Sequence, residues 1–296
     1  MADRPVRRKP KLNRAEVVRT QRLTPHMVRV VLGGSGLDGF DAGEHTDHYI
    51  KLLFPVEGVA YPEPFDIEAV RRDMPRDQWP RTRTYTVRSW DPQARELAVD
   101  FVIHGDAGVA GPWAARVRPG EEVLFLGPGG DYAPDPAADW HLLAGDESAL
   151  PAIAAALERL CGQAPEPRAA NATVRAFVEV AAPEEEQELA VPAGAEIVWL
   201  HRGAAPAGTA LVPALRSLDF PEGDVQAFVH GEAGFAKELR RHLRIEREVP
   251  RERLSISGYW RSGHDEDGWQ ASKREWNQQV EKEQEATAAV SAASSG

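Results

Sequence analysis

The stretch RTRTYTVRSW, from Arg81 to Trp90, has the alternation of a β-strand but lacks an apolar face. Successive side chains of a strand point to opposite faces, so each face is followed at every second residue. One face combines guanidinium, phenol and small groups: Arg81, Arg83, Tyr85, Val87 and Ser89. The other combines hydroxyls with a second guanidinium and an indole: Thr82, Thr84, Thr86, Arg88 and Trp90. Because neither face suits a protein core, the strand is a candidate for holding a ligand.

Short alternating runs surround this stretch between Ala15 and Tyr132. In chain order they are EVVRTQRLT, HMVRVVLGG, DHYIKLLFP, RTYTVRSWD, ELAVDFVIHG and EEVLFLGPGG. Glycine and proline separate the runs, which predicts an antiparallel barrel or sandwich of six strands. A short helix is predicted over Gly111–Val117, and the segment Tyr61–Pro80, rich in proline and charge, is predicted to be a long functional or mobile loop.

The pattern changes after the turn-rich DPAAD at residues 135–139. Short apolar strands then alternate with helical segments, beginning with WHLLAG and DESALPAIAAALERL and closing with LSISGYW. Such alternation predicts parallel strands joined by crossovers, which is an α/β sheet. The predicted organisation is a six-stranded antiparallel barrel at 12–136, an α/β domain at 139–262, a C-terminal helical segment at 263–290 and a disordered tail at 291–296.

Composition restricts the class of protein. The chain has 296 residues, of which 42% are hydrophobic and 27% charged, as in soluble proteins of two domains. Its net charge of -11 argues against nucleic acid as a partner, since phosphates are held by accumulated Lys and Arg. No apolar run suits a bilayer and the N-terminus lacks the pattern of a secretory signal, so we expect a cytoplasmic location without stable membrane insertion. The single cysteine, Cys161, excludes an internal disulfide and a four-cysteine iron–sulfur or zinc site within one chain.

A barrel followed by an α/β domain, with Arg83, Tyr85 and Thr86 at this spacing, resembles the ferredoxin-reductase-like flavoproteins. Their flavin motif is Arg, one spacer, Tyr, then Ser or Thr, and RTYT at residues 83–86 matches it. The resemblance implies an FAD-binding barrel and an NAD(P)-type α/β domain. It also implies that Arg83 pairs with the flavin pyrophosphate, that the Tyr85 ring lies against the isoalloxazine and that the Thr86 hydroxyl faces the N5 and O4 edge. Tyr85 and Thr86 are therefore the candidate catalytic residues.

The segment DFVIHGDAGVAGPWAARV supplies a second flavin signal. It ends a strand at His104, turns through three glycines and starts a helix at Pro112, so free backbone amides are presented to a pyrophosphate. This favours FAD over FMN. The further residues predicted to contact the cofactor lie along these two segments: Val87, Phe101, Val102, His104, Gly108, Val109, Ala110 and Gly111.

Three further segments resemble the siderophore-interacting proteins: GDESALPAIAAAL, SGYWRSGHDEDGWQASKREW and KLLFP. Together with WPRTRTYTVR they extend the resemblance over roughly residues 14 to 280. One departure is Gly111, where many members have a serine. The resemblance implies an FAD-dependent ferric-siderophore reductase that releases iron by one-electron reduction. Cys161 alone cannot build an iron–sulfur relay, so the flavin is expected to reduce the iron directly, with electrons from NAD(P)H or an external ferredoxin.

The predicted donor site gives opposing indications. Arg202, at the end of the third α/β strand, can pair with a 2′-phosphate and favours NADPH. Asp146 and Glu147, on the first loop, are expected to repel a dinucleotide diphosphate. Ser148 and Trp260 complete the predicted contacts, with Trp260 covering either the flavin or the nicotinamide position or packing between domains. We therefore expect weak, NADPH-favouring reduction.

Ferric siderophores are frequently anionic, so cations near the flavin are the candidate substrate residues. They are Lys51, Arg261 and Lys273. Lys237 is better explained as part of a solvated helix face. His45, Asp47 and His48 lack a fourth ligand, so no metal site is predicted there.

Two other functions fit the same sequence. A NAD(P)H:flavin reductase would release reduced flavin as its product, whereas this chain has segments able to retain FAD. A non-enzymatic ferric-siderophore chaperone would bind the substrate and transfer no electron.

Overall fold

The computed structural model describes residues 11–104, 108–162 and 173–294, with side chains in the last helix up to Gln284. Within these ranges no helix combines the length and the apolar character needed to cross a bilayer.

The first domain is a closed antiparallel barrel, which resolves the choice between barrel and sandwich. Its strands are β1 (Leu12–Thr24), β2 (Met27–Gly33), β3 (Tyr49–Phe54), β4 (Arg81–Asp91), β5 (Glu96–Val102) and β6 (Glu122–Gly129). They follow the order β1-β2-β5-β4-β3-β6, and β6 returns to β1. The alternate residues of these strands that point inward are fully buried, among them Val30, Ile50, Leu97, Phe101 and Phe125.

Two short helices accompany the barrel. Helix α2 (Ala110–Ala114) starts one residue before the predicted helix and ends three residues earlier. Helix α1 (Ile67–Asp73) lies inside the segment predicted to be a loop, so that prediction was wrong for these residues. The helix forms because the Asp66 carboxylate accepts from the backbone N–H groups of Glu68 and Ala69, which is a helix N-cap.

The second domain is a five-stranded parallel sheet in the order β11-β10-β7-β8-β9. Its strands are β7 (Trp140–Asp146), β8 (Thr173–Val180), β9 (Glu196–His201), β10 (Val225–Glu232) and β11 (Leu254–Trp260). The helices are α3 (Leu150–Gly162), α4 (Leu211–Arg216) and α5 (Ala233–Arg241), which cover the apolar faces of the sheet. The strand order reverses between β7 and β10, so the topological switch point lies between their carboxyl ends.

The C-terminal helix α6 (Glu266–Ser294) packs back onto the body of the protein through the buried side chains of Trp269 and Val280. It continues past residue 290, so residues 291–294, predicted to be a disordered tail, are helical.

An ion pair and a set of hydrogen bonds to a buried carboxylate are among the contacts that connect the two domains. Arg88 of β4 forms a two-pronged pair with Glu158 of α3, at 2.8 and 2.5 Å. The buried carboxylate of Glu185, between β8 and β9, accepts from the Thr24 hydroxyl at 2.5 Å and contacts the His26 ring at 2.5 Å. Both contacts use barrel residues near the end where β4 meets the α/β domain.

Candidate functional site

Strand β4 leaves its neighbour β5 at the RTYT motif. β4 pairs with β5 only between Val87 and Asp91, although β5 continues to Val102. Within the described chain, residues 81–86 therefore have a strand partner on one side alone, in β3. Beside the motif the barrel therefore lacks β4–β5 pairing, and this opening between the two strands is where we expect a flat ligand.

Aromatic side chains lie under this opening. The Tyr85 ring centroid is 4.3 Å from that of Phe101, which is 5.4 Å from that of Trp113 in α2. Burial holds the pKa of the Tyr85 hydroxyl above its usual range, so it stays protonated at neutral pH. Tyr85 thus presents a ring and a neutral hydroxyl at the place predicted for the isoalloxazine.

The glycine turn before α2 comes to the same end of the barrel. Gly108 has a φ of 83°, and a Cβ on Gly111 would lie 3.3 Å from the carbonyl oxygen of Val102. These glycines let the backbone turn sharply and pass close to β5. His104 is exposed at the strand end, and residues 105–107 fall outside the described ranges. The predicted contact of His104 with the flavin therefore stays a prediction.

Arg83 is only 8% exposed, and the first turn of α6 reaches its strand. Its Nη1 donates to the carbonyl oxygen of Thr82 at 2.7 Å and to Oδ2 of Asp267 at 2.9 Å. Glu266 accepts from the backbone N–H of Thr84 at 2.7 Å. The Nε and Nη2 atoms of Arg83 make no hydrogen bond to the residues that the structure describes, so they remain available to a phosphate.

Sequence reasoning missed Glu266 and Asp267 as neighbours of the motif. The run DED at residues 265–267 was a usable signal, because acids concentrate in the first turn of a helix. Nothing in that run, however, indicates that the turn packs against β4.

Thr86 connects the barrel to the α/β sheet. The Tyr259 hydroxyl interacts with the Thr86 side chain, and burial holds the Tyr259 pKa above its usual range. The Tyr259 ring packs edge-on against His230, which stacks on Phe228 with 3.9 Å between centroids. Burial lowers the pKa of His230 to about 3, so the imidazole is neutral at pH 7 and its Nε2 bonds to Ser255 Oγ at 3.0 Å. The predicted catalytic Thr86 therefore lies at the junction of the two domains.

Asp146 lies at the carboxyl end of β7 and is fully buried. Its Oδ1 accepts from the backbone N–H of Ser148 at 2.9 Å and from the Ser148 hydroxyl at 2.5 Å. Its Oδ2 accepts from the backbone N–H of Glu232 at 2.9 Å and from Nε1 of Trp260 at 2.8 Å. The polar groups of Asp146 and Ser148, predicted to contact a cofactor, thus bond to the protein itself. Asp146 also fixes the Trp260 indole, which is 39% exposed.

Arg202 forms an ion pair with Glu147, with 2.7 Å between Nη1 and Oε1. Both side chains are largely buried, at 17% and 15% exposure. A 2′-phosphate would have to replace Glu147 to use this guanidinium. Arg202, predicted to attract a nucleotide, is therefore paired with Glu147, predicted to repel one.

Three cations gather beside the motif, and we call them the cationic cluster: Lys51, Arg240 and Lys273. Lys51 of β3 is the register partner of Thr84 in β4. Burial lowers the pKa of Lys273, and the charges of Lys51 and Arg240 lower it further against the opposing effect of Glu266. Lys51 and Lys273, predicted from different segments, are thus near enough for their charges to interact.

Of the other cations considered in the sequence, Arg261 lies near the cationic cluster and Lys237 lies away from it. Arg261 and Lys273 both lie 6.0 Å from the Trp269 ring centroid, so Arg261 borders the cluster. Lys237 pairs with Glu283 at 2.6 Å on the outer face of α5. Arg240, one turn further along that helix, was not among the predicted residues. It lies in the run KELRRHLR at residues 237–244, whose several arginines give no sign of which side chain points inward.

Asp47 has a structural role. Its Oδ1 accepts from the backbone N–H groups of Asp131 and Tyr132, both at 2.9 Å, and His48 Nε2 accepts from the backbone N–H of His45 at 3.1 Å. These bonds hold the last strand of the barrel near the linker.

Comparison with family models divides the chain in the same place as the fold. A model described as a siderophore-interacting FAD-binding domain matches residues 16–132, and a model described as siderophore-interacting protein matches residues 138–263.

Individual relatives are similar over most of their length. Ferric vibriobactin reductase ViuB of Vibrio cholerae is 33% identical over 263 residues, which cover 86% of this chain and 91% of that protein. The NADPH-dependent ferric-chelate reductase of Escherichia coli is 33% identical over 246 residues, covering 82% and 91%. The crystal structure of a siderophore utilization protein from T. fusca superposes with a TM-score of 0.72 at 41% identity, covering 87% of this chain and 95% of that one.

Proposed function

Since the chain belongs to the siderophore-interacting protein family and carries its FAD-binding domain, we propose that it is an FAD-dependent reductase of ferric siderophores. The observation that carries this proposal is the position of the cationic cluster. Lys51 is paired in register with Thr84, inside the flavin motif, and Lys273 interacts with it from α6. Positive charge for an anionic substrate therefore stands next to the strand on which the flavin is expected to lie.

The residues around the opening fit FAD. Arg83 has free donors for the pyrophosphate, and Tyr85 has a ring and a protonated hydroxyl for the isoalloxazine. The flavin, when bound, takes up two electrons and passes them on singly. The chain's own residues hold and orient it: Asp267 fixes Arg83 and Tyr259 fixes the Thr86 side chain.

The substrate's chemistry explains why one-electron reduction releases iron. Ferric iron is a hard cation that oxygen ligands bind tightly, and ferrous iron is softer and held more weakly by them. The cationic cluster would attract an anionic ferric siderophore and hold it near the flavin. For the electron donor we propose a reduced nicotinamide, supported by the name of the Escherichia coli relative, which is described as NADPH-dependent, with a ferredoxin as the alternative.

The test separates electron transfer from the choice of donor. FAD-loaded protein is photoreduced without air and mixed with a ferric siderophore and a ferrous-specific chelator. We expect the flavin to re-oxidise while up to about two ferrous complexes form per flavin, because reduced flavin holds two electrons. A flavin that stays reduced with no ferrous complex would identify a siderophore chaperone instead. Flavin lost on dialysis would favour a flavin reductase.

A further inference from the structure

The carboxyl edge of a parallel sheet is where α/β domains bind nucleotides, and helix N-termini there supply amides for the diphosphate. In this domain three buried carboxylates lie at that edge. They end three neighbouring strands: Asp146 in β7, Glu179 in β8 and Glu232 in β10. Asp146 and Glu179 are register partners.

The switch point between β7 and β10 is closed by one of these carboxylates. Asp146 accepts from the backbone N–H of Glu232 and from Trp260, and so joins three strands. The backbone packs closely against this carboxylate, because a Cβ on Gly231 would lie 2.7 Å from it. A Cβ on Gly145 would lie 2.4 Å from the carbonyl oxygen of His230.

The two other carboxylates occupy the helix amides beside the switch point. Glu179 accepts from the backbone N–H groups of Gly208, Ala210 and Leu211, at 2.6 to 2.9 Å, where α4 begins. Glu232 accepts from the N–H groups of Gly234 and Phe235, at 2.5 and 3.2 Å, where α5 begins. The amides at the start of α4 and α5 are thus satisfied by the protein's own acids, and a diphosphate there would meet like charges.

The guanidinium predicted to recognise a dinucleotide is also paired with an acid. Arg202 could attract a 2′-phosphate, but Glu147 pairs with it at 2.7 Å. What the edge does offer is the Trp260 indole, which is 39% exposed and held in place by Asp146. A flat ring can contact this indole, whereas the amides and the guanidinium described above are already paired with carboxylates.

We propose that this protein accepts hydride from a nicotinamide by contact with the ring alone, while the donor's diphosphate and adenosine stay in solvent. The hydride carries two electrons from the dihydronicotinamide to the flavin, one further proton comes from solvent, and the oxidised nicotinamide leaves. Asp146, Glu179 and Glu232 are then the residues that remove dinucleotide specificity. The inference rests on the proposed function, because it concerns how the same flavin is reduced.

The test compares donors that share the ring and differ in the rest. Anaerobic stopped-flow reduction of the FAD-loaded protein is measured with NADPH, NADH and reduced nicotinamide mononucleotide, which has no diphosphate and no adenosine. We expect rates linear in concentration and second-order rate constants within about threefold of one another. An advantage of about tenfold or more for NADPH, or saturation seen with NADPH alone, would overturn the inference.

A binding measurement checks the inference without turnover. Calorimetry of the FAD-loaded protein with 2′,5′-ADP or ADP-ribose is expected to show no binding at millimolar ligand, and clear binding would overturn the inference. Failure of all three nicotinamides, with a reduced ferredoxin succeeding, would overturn it as well. Neither result would affect the ferrous-release assay on photoreduced protein, so failure of the inference is distinguishable from failure of the proposed function.

Discussion

Arg83 is the residue whose charge the proposed flavin site depends on most directly. Arg83→Ala removes a buried guanidinium from the expected pyrophosphate position. We expect FAD binding to weaken by about 1.5–3 kcal/mol, the usual effect of losing a charge-assisted hydrogen bond. Titration of apoprotein with FAD, followed by flavin fluorescence, measures the change. An unaltered dissociation constant would show that Arg83 serves the fold alone.

Asp267 offers a finer version of the same test, since it orients Arg83 through Nη1. Asp267→Ala is expected to weaken FAD binding less than Arg83→Ala does, and Asp267→Asn to restore most of it by keeping an acceptor. Glu275→Ala, an exposed acid on the same helix, is the matched control. Tighter binding in Asp267→Ala would mean that this carboxylate competes with the pyrophosphate.

Lys51 and Lys273 carry the prediction for substrate docking. Lys51→Ala and Lys273→Ala should each raise the KM for an anionic ferric siderophore several-fold and change that for a neutral one much less, because the lost attraction is between charges. Initial rates with photoreduced or donor-reduced protein provide the comparison. Lys237→Ala is the control, since Lys237 pairs with Glu283 away from the cluster. Equal effects on both substrates would argue against a docking role.

At the residue scale, sequence reasoning named the candidate groups that a local pattern marks and did not name those that only folding brings beside them. Arg83, Tyr85 and Thr86 stand in a short motif, and their common location follows from the period of one strand. Arg240 and Glu266 reach the same place from α5 and α6. No spacing in the sequence encodes that contact, because it depends on how two helices pack.

At the scale of elements, the end of β7 shows how burial changes a carboxylate's behaviour. Asp146 has an ordinary pKa of 3.8, and burial raises it to about 6. The folded state therefore binds the proton more tightly than the unfolded state. Its stabilising contribution is complete below about pH 4 and is lost as the pH rises through 6.

Asp146→Asn removes this titration and so makes it measurable. Between about pH 4 and pH 7, we expect the free energy of unfolding of the wild type to fall by about 2.4 kcal/mol relative to that of the variant. Urea unfolding of dilute protein at several pH values gives both curves. If the two curves of unfolding free energy against pH run parallel, the hydrogen bonds from Ser148 and Trp260 offset the cost of burying the Asp146 charge.

Elements with strong periodicity were predictable from sequence, and short capped ones were not. The barrel strands and α/β elements follow alternating or helical spacing long enough to be recognised. Helix α1 has seven residues between prolines, and its stability comes from the Asp66 cap and from burial of Ile67 and Val70. The acid-rich loop after β7 was recognised as unsuited to phosphate, but its hydrogen bonds depend on β10 and β11 and were not predictable.

At the scale of the whole molecule, the domains are joined by ion pairs that a thermodynamic cycle can test. The Arg88 side chain is 11% exposed and contacts Glu158 through both terminal nitrogens of its guanidinium, Nη1 and Nη2. We expect a double-mutant cycle with Arg88→Ala and Glu158→Ala to give a coupling energy of about 1 kcal/mol. Chemical unfolding of the four proteins provides the values.

The matched control lies within the barrel. Arg95 and Asp38 form a pair whose side chains are 53% and 62% exposed. Solvent screens such a pair, so its coupling should be close to zero. Equal coupling energies in both cycles would show that the Arg88–Glu158 pair stabilises the protein no more than an exposed surface pair does.

The first strand of the barrel cannot meet its last partner until late in synthesis. β1 closes the barrel against β6, with Leu12 opposite Leu126, and Asn13 bonds to the carbonyl oxygen of Gly127 across 114 positions of the chain. Until β6 leaves the ribosome, one edge of β1 has no strand to pair with, and bringing the ends of so long a segment together costs entropy. A nascent chain paused before residue 122 therefore presents an open edge, which is the stage at which chaperones would be needed most.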